Sequence, residues 1–151
     1  MRRERAVLRE RMTARGIRMT GPRRLIAEVL EGAEHHLDAD AIFRLARRRD
    51  PGIHRSTVYR TLSRLTRLGL LDQLDLMHRD GDRHFYEVRP SSFHIHLVCM
   101  QCGAVDEPGG PFWDQIKGRV FEESGFRAHA ARLEMGGTCR NCAEQQVLHE
   151  E

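Results

Sequence analysis

Two pairs of closely spaced cysteines limit the possible folds of this chain more than any other feature of its sequence. The four cysteines of the 151-residue chain occur as Cys99-x-x-Cys102 and Cys139-x-x-Cys142. Two such pairs, about one small domain apart, are typical of a tetrahedral zinc site with four thiolate ligands. The sequence therefore predicts a structural Zn²⁺ site in the C-terminal part of the chain.

The N-terminal segment is rich in charged residues, and no apolar stretch of signal-peptide length follows it. No later segment approaches the roughly 20 apolar residues of a membrane-spanning helix. We therefore expect a cytoplasmic protein without a membrane partner. In that compartment thiols stay reduced, and paired cysteines bind metals more often than they form structural disulfides.

Charge is distributed unevenly along the chain. Residues 1–88 contain 19 arginines and 13 acidic residues, whereas residues 89–151 contain five arginines and one lysine against nine acidic residues. An arginine-rich half favours a polyanionic partner such as nucleic acid. A solvated basic surface without any partner would have the same composition, so charge alone leaves both interpretations open.

Three segments of the basic half show the spacing of amphipathic helices. They are "GPRRLIAEVL", "LDADAIFRLARRR" and "RSTVYRTLSRLTRLG", which begin at residues 21, 37 and 55. Thr20 and Asp38 are expected to be N-caps of the first two helices, and Gly69 is expected to end the third. In the third helix Val58, Leu62 and Leu65 share one face, and arginines occupy another.

A hairpin is predicted directly after the third helix, because "LLDQLDL" and "RHFYEV" alternate like strands on either side of an Asp80-Gly81 turn signal. Three helices followed by a hairpin indicate a winged helix-turn-helix, whose last helix enters the major groove of double-stranded DNA. The residues expected to read bases lie at the start of that helix: Arg55, Ser56, Thr57, Tyr59 and Arg60.

Two further expectations concern the same helix. Arg64 lies further along its basic face and is expected to contact phosphates irrespective of DNA sequence. The alternative is that Tyr59 is a core aromatic residue and the arginines form only a solvated surface. The combination of apolar spacing, an adjacent wing and a basic half favours DNA binding.

The remainder of the chain is predicted to form a second, smaller unit. The segment "RPSSF", residues 89–93, has the composition of a hinge. Beyond it we expect a short strand around Leu97 and Val98, a helix near residues 112–124, a strand from Arg127 to Leu133, and a turn carrying the second cysteine pair. A unit this small has a marginal core and needs a metal, disulfides or a partner chain, so zinc and a homodimer are expected.

The predicted fold class is therefore α+β, with a winged helix-turn-helix DNA-binding domain followed by a small α/β dimerisation domain that holds the four-cysteine zinc. The predicted boundaries are residues 1–88 for the DNA-binding domain, 89–93 for the hinge, and 94–151 for the dimerisation and metal-binding domain.

A second metal site is suggested by two histidines just before the first cysteine pair. His94 and His96 alternate in sequence, so a strand would place both imidazoles on one face. Two histidines alone are more often surface residues than ligands, but the carboxylates of Glu87 and Glu107 lie nearby in sequence. Nitrogen and oxygen ligands suit Fe(II), Mn(II) or Zn(II), and the ligand types do not distinguish among them.

The chain resembles the ferric uptake regulator family from about Met19 to Cys142. The motifs "MTGPRR", "HHLDADAIF", "STVYRTL", "HIHLVCMQCG" and "TCRNC" occur in the order and at the spacings of that family. The resemblance implies a dimeric repressor that binds operator DNA in a metal-dependent way, with the four cysteines as structural zinc ligands. It also implies DNA contacts at Arg18, Tyr59 and Arg60.

The resemblance further implies a regulatory metal site that ties the two halves of the chain together. Its ligands would be His36, Glu87, His94, His96 and Glu107, with Fe²⁺ or Mn²⁺ as the corepressor and Zn²⁺ as an alternative. Five such ligands leave little room for a metal-activated water, so no enzymatic activity is expected.

The chain also departs from the family pattern. A further metal site found in many members falls on Phe93, Ile95, Asp114 and Ala131, and is expected to be missing. Peroxide-sensing members typically have Asp at the position of Glu107, and zinc-sensing members often recruit an additional cysteine. The sequence therefore favours an iron or manganese regulator, with a peroxide-sensing repressor or a zinc-responsive uptake regulator as alternatives.

Overall fold

A computed structural model of the chain describes residues 8–78, 81, 83–89, 95–108, 111–129 and 131–147. The chain divides into two compact units, one formed by Met1–Asp75 with Asp82–Ser91 and the other by Leu76–Gly81 with Ser92–Glu151. Each unit combines helices with a three-stranded sheet, which confirms the α+β class. The domain boundaries near residues 88 and 94 stay predictions, because residues 90–94 lie outside the described residues.

The described part of the first unit contains four helices and three strands. In chain order these are α1 (Leu8–Ala14), α2 (Gly21–Gly32), β1 (Leu37–Asp38), α3 (Ala39–Arg49), α4 (Arg55–Arg67), β2 (Leu71–Leu74) and β3 (Phe85–Val88). The strands form an antiparallel sheet in the order β1-β3-β2. Three helices followed by a hairpin were predicted, and α4 begins and ends close to its predicted limits.

Apolar side chains from all four helices form the core of the first unit. Val58, Leu62 and Leu65 of α4 are fully or almost fully buried, so the face predicted from helical spacing is the one that packs inward. Leu8 and Met12 of α1 are also fully buried. Helix α1 was not predicted, because two apolar residues in a highly charged stretch give little periodicity.

Local capping explains where the helices of the first unit begin and end. The carboxylate of Asp38 accepts a hydrogen bond from the backbone N–H of Ala41 at 2.6 Å, which satisfies a free donor in the first turn of α3. Thr20 occupies the N-cap position of α2, and its carbonyl accepts from Arg24 at 2.9 Å. Gly69 follows the last residues of α4 with φ +67°, a backbone conformation that favours glycine.

The predicted hairpin is present, but its strands are shorter than the alternating pattern predicted. Strands β2 and β3 pair from Leu71 opposite Val88 to Leu74 opposite Phe85, and part of the predicted Asp80-Gly81 turn lies outside the described residues. The chain leaves the ladder early because Leu76 and Met77 adopt positive φ values of 43° and 60° in a short 3-10 helix, Leu76–His78. The alternating pattern had extended the strand as far as Leu76.

The second unit has a much smaller core. Its elements are β4 (His96–Cys99), β5 (Val105–Asp106), α5 (Phe112–Ser124), β6 (Glu134–Gly137) and α6 (Arg140–Val147), with the sheet order β5-β4-β6. The short strand and the helix near residues 112–124 are confirmed. Within the described residues of α5 every side chain is at least partly exposed, including Phe112 and Phe121 at 40% and 48%.

The strand predicted from Arg127 to Leu133 is wrong. The third strand of this sheet is β6, which pairs in parallel with β4 and places Gly136 and Gly137 beside Val98 and Cys99. Glycines are disfavoured in strands, so this segment gave no strand signal. An added Cβ at Gly136 would lie 3.1 Å from the sulfur of Met100, which explains why a glycine suits this position.

No helix in the part of the chain that the structure describes is both long enough and apolar enough to span a membrane.

Candidate metal centres and nucleic-acid interface

The four cysteines come together at one end of the second unit. Cys99 ends β4, the turn after it carries Cys102, and Cys139 and Cys142 lie at the start of α6. All four sulfur atoms lie within 4.8 Å of one another, with Cys102 and Cys139 separated by 3.7 Å. Zn–S bonds of 2.3 Å in a tetrahedron place sulfurs about 3.8 Å apart, so the cluster fits a four-thiolate zinc site.

Backbone geometry makes one of these thiols acidic. The pKa of Cys99 is lowered from 9.0 to about 5, because backbone N–H groups of Cys102 and Cys139 donate to its sulfur. The pKa of Cys142 is raised to about 12, because its thiol is hydrogen-bonded to Cys139 and Cys102 and is desolvated by burial. The backbone donors therefore favour the thiolate form of Cys99, and a zinc ion would favour that form at all four cysteines.

A histidine and a carboxylate meet in the first unit. Nε2 of His36 lies 3.3 Å from Oε2 of Glu87, and the two side chains are only 10% and 12% exposed. The sheet positions them, because Leu37 of β1 is opposite Tyr86 of β3, and the next antiparallel pair in that register is His36 and Glu87. Strand β1 was not predicted, so the sequence patterns did not indicate this contact between the two expected ligands.

A second histidine–carboxylate pair lies within the second unit. Nε2 of His96 is 3.8 Å from Oε1 of Glu107, and the His96 side chain is 3% exposed. The antiparallel pairing of β4 with β5, with Leu97 opposite Asp106, puts these two residues at neighbouring positions. His94, the remaining predicted ligand, lies outside the described residues.

Buried imidazole next to carboxylate is a ligand arrangement suited to a divalent first-row ion. The donor atoms in each pair are close enough for both to reach one cation, and burial limits competition from water. Each pair thus has the ligand chemistry expected for the regulatory metal, within its own unit.

Most of the residues predicted to contact DNA lie on the solvent-exposed face of α4. The exposed members are Arg55, Ser56, Tyr59, Arg60 and Arg64, while Thr57 is half-buried. Because Tyr59 is 45% exposed, the alternative that it is a core aromatic residue is wrong. Arg18 is also exposed and lies in the connection between α1 and α2.

The structure adds Asp40 to this surface, a residue that the sequence patterns did not single out. Its carboxylate forms an ion pair with Arg55 and accepts a hydrogen bond from the hydroxyl of Tyr59 at 3.3 Å. The Arg55 guanidinium also lies over the ring of Phe43, 5.0 Å from its centroid. The only indication of its role in the sequence is an acidic residue in the first turn of α3, the helix that precedes the arginine-rich α4.

Comparison with known proteins places these features in a family. The model described as Ferric uptake regulator family matches residues 14–136. A Ferric uptake regulation protein of Rhizobium leguminosarum bv. viciae is 39% identical over 130 residues, which make up 86% of this chain and 89% of that protein. The Ferric uptake regulation protein of Bacillus subtilis (strain 168) is 36% identical over 117 residues, 76% of each chain.

Solved structures have the same fold. A zinc-bound manganese uptake regulator is 38% identical, with a TM-score of 0.68 over 88% of this chain and 98% of that chain. The ferric uptake regulator from Pseudomonas aeruginosa with manganese is 25% identical, with a TM-score of 0.74 over 89% and 98% of the two chains. By sequence over most of its length and by fold, this chain belongs to the ferric uptake regulator family.

Proposed function

We propose that this protein is a metal-responsive, DNA-binding transcriptional repressor that acts as a homodimer in the cytoplasm and has no enzymatic activity. The observation that carries the proposal is membership of the ferric uptake regulator family over residues 14–136. That span includes helix α4 and both histidine–carboxylate pairs.

The regulatory ion in this proposal is bound by His36, Glu87, His94, His96 and Glu107. The contacts of His36 with Glu87 and of His96 with Glu107 support four of these ligands. A bound ion would supply positive charge and hold its ligand side chains in fixed positions. Its ligands must be neutral imidazoles and ionised carboxylates. Loss of the ion leaves these side chains with fewer restraints.

Fe(II) or Mn(II) is the proposed corepressor. The relative at 39% identity is named a ferric uptake regulation protein, and the structure at 38% identity is a manganese uptake regulator. All four cysteines of the chain belong to the zinc cluster, so none is available as an additional ligand of the kind that zinc-sensing members recruit. Nitrogen and oxygen ligands alone suit iron, manganese and zinc, so the preference for iron or manganese rests on the absence of a further cysteine.

The four cysteines hold a structural zinc in this proposal, and α5 contributes to the contact with a second copy of the chain. Phe112 and Phe121 of α5 and Phe126 just after it are 40%, 48% and 66% exposed. Large apolar side chains concentrated on one small unit are typical of a protein–protein interface. Their burial against a partner would supply the core that this unit lacks by itself.

DNA recognition is proposed to depend on Arg18, Arg55, Ser56, Thr57, Tyr59, Arg60 and Arg64. In a dimer the two copies of α4 must reach major-groove half-sites about 34 Å apart or a multiple of that distance. Metal binding therefore controls repression if it favours the arrangement that matches this spacing. To change DNA-competent protein from 1% to 99% of the population, the ion must bind that state more tightly by roughly 5.5 kcal/mol.

The test is DNA binding by the full-length protein after removal of exchangeable metal, with the four-cysteine zinc retained. A duplex is first selected from a random library in the presence of Mn(II), and its fluorescence anisotropy is then followed during anaerobic titration with Fe(II), Mn(II) or Zn(II). We expect tight binding only after metal is added. Equally tight binding without added metal would refute the metal response, and failure to select any duplex would refute DNA recognition.

A further inference from the structure

One carboxylate oxygen in the first turn of α3 interacts with two side chains of α4. Oδ1 of Asp40 pairs with Nη1 of Arg55 and accepts a hydrogen bond from the hydroxyl of Tyr59 at 3.3 Å. Arg55 and Tyr59 are separated by one helical turn and therefore lie on the same face of α4. The ring of Phe43, 5.0 Å from the guanidinium carbon, gives Arg55 a second contact.

Stability of the fold does not explain this cluster. The side chains of Asp40 and Arg55 are 46% and 57% exposed, and ion pairs with this much solvent contact add little to the free energy of unfolding. A carboxylate next to a helix that faces DNA also repels phosphates. The negative charge of Asp40 therefore opposes association with DNA in general.

The contacts of Asp40 with Arg55 and Tyr59 also affect how selectively the protein binds DNA of one sequence over another. Long side chains lose rotamer freedom when they bind, and Arg55 and Tyr59 have already lost part of it through their contacts with Asp40. Pairing with a carboxylate also lowers the charge with which Arg55 attracts phosphates. Phosphate contacts carry no sequence information, whereas contacts to base edges do.

We propose that Asp40 determines sequence specificity. It positions Arg55 and Tyr59 for contacts with base edges, and it suppresses pairing of Arg55 with the phosphates of non-cognate DNA. The inference rests on the proposed DNA-binding function and gives a role in recognition to a residue of α3, outside the recognition helix itself. Asp40 acts through Arg55 and Tyr59, so it is a positioning residue rather than a base-contacting one.

The test compares Asp40→Asn, Arg55→Ala and the double variant with the wild-type protein, all full-length and loaded with Mn(II). The control is Glu122→Gln, which removes one negative charge from an exposed position on α5 in the other unit. Binding to a duplex selected by the wild type and to a duplex of shuffled sequence is measured by fluorescence anisotropy over a range of salt concentrations. Circular dichroism checks that each variant is folded.

For Asp40→Asn we expect roughly fivefold tighter binding to the shuffled duplex, because a unit charge that repels nearby phosphates is gone. The dependence of log K on log salt should become steeper by about 0.9 per protomer as Arg55 takes up a phosphate. The preference for the selected duplex should fall about tenfold as base contacts are lost. In the double variant the steeper salt dependence should disappear, because it requires the guanidinium of Arg55.

An Asp40→Asn protein with the specificity ratio and salt dependence of the wild type would overturn the inference. Equal weakening on both duplexes would also overturn it, because that result indicates a structural role only. If Glu122→Gln produced the same changes as Asp40→Asn, net charge rather than position would be responsible, and the inference would be wrong. A wild-type protein that bound neither duplex would instead refute the proposed function, and the inference with it.

Discussion

The backbone N–H of Cys139 donates a hydrogen bond to the sulfur of Cys99 at 3.3 Å, although the two residues are 40 positions apart in the chain. The parallel pairing of β6 with β4 produces this contact, because Cys99 is opposite Gly137 in the ladder. The sheet thus brings the second cysteine pair onto the first by backbone pairing. Together with the N–H of Cys102, this donor keeps the Cys99 sulfur anionic near neutral pH.

Binding of zinc to the four cysteines should therefore release fewer than four protons. A Cys99 thiol with a pKa of about 5 is already ionised at pH 7, and so contributes no proton when zinc binds. We expect fewer than four protons per zinc ion at pH 7, because Cys99 contributes none. Calorimetry in buffers that differ in ionisation enthalpy measures this number, and a value of four would contradict a preformed thiolate.

Substitution of Cys99 should separate the structural site from the regulatory one. In Cys99→Ser the backbone donors of Cys102 and Cys139 lose their thiolate acceptor, and the zinc loses a ligand. We expect loss of bound zinc and of cooperative unfolding of the second unit, measured by metal analysis and thermal denaturation. Glu122→Gln, at an exposed position on α5, is the control and should keep both properties. A zinc-containing, fully folded Cys99→Ser protein would disprove the structural assignment.

Removal of the carboxylate beside His96 should weaken the regulatory metal without affecting the zinc cluster. In Glu107→Gln the oxygen 3.8 Å from Nε2 of His96 no longer carries charge, and we expect Mn(II) affinity to fall at least about tenfold. The Mn(II) concentration needed for DNA binding should rise by the same factor. Glu87→Gln should behave alike, because Glu87 contacts His36 at 3.3 Å. The control is Glu122→Gln, and unchanged Mn(II) affinity in both test variants would contradict the proposed ligand set.

Elements with strong local periodicity were predicted correctly from the sequence. Helix α4 is an example, because the burial of Val58, Leu62 and Leu65 follows directly from their spacing. The two-residue strand β1 was missed, since its only signal is pairing with a strand about 50 residues away. Without β1 the contact between His36 and Glu87 could be inferred only by resemblance to a family.

The same physical reason accounts for the other differences. Strand β6 depends on long-range pairing and contains glycines that local propensity disfavours. The contact of Asp40 with Arg55 depends on how α3 packs against α4. The cysteine cluster was predictable despite its long range, because two cysteine pairs with that spacing are typical of a four-thiolate zinc site.

The cap of α3 should contribute measurably to the stability of the first unit. Asp38 accepts from the N–H of Ala41 at 2.6 Å, and its other oxygen lies 3.4 Å from Nε of Arg83. Asp38→Ala leaves the N–H without this acceptor, and we expect a loss of about 1 kcal/mol in the free energy of unfolding, measured by urea denaturation. Asp38→Asn retains the cap and should lose much less. Equal losses in the two variants would show that the charge, rather than the cap, is important.

Two residues of α4 should differ in how their loss affects DNA binding. Arg64 lies on the exposed basic face near the C-terminal end of the helix, whereas Tyr59 lies near its start. Arg64→Ala should weaken binding to selected and shuffled duplexes alike and reduce the salt dependence of log K by about 0.9 per protomer, as expected for a lost phosphate contact. Tyr59→Ala should weaken binding mainly to the selected duplex, because base-edge contacts distinguish sequences and phosphate contacts do not.

Anisotropy titrations of both duplexes at several salt concentrations measure both effects. If Tyr59→Ala weakened the two duplexes equally, Tyr59 would not be a base-reading residue, and the orientation of α4 in the major groove would need to be revised.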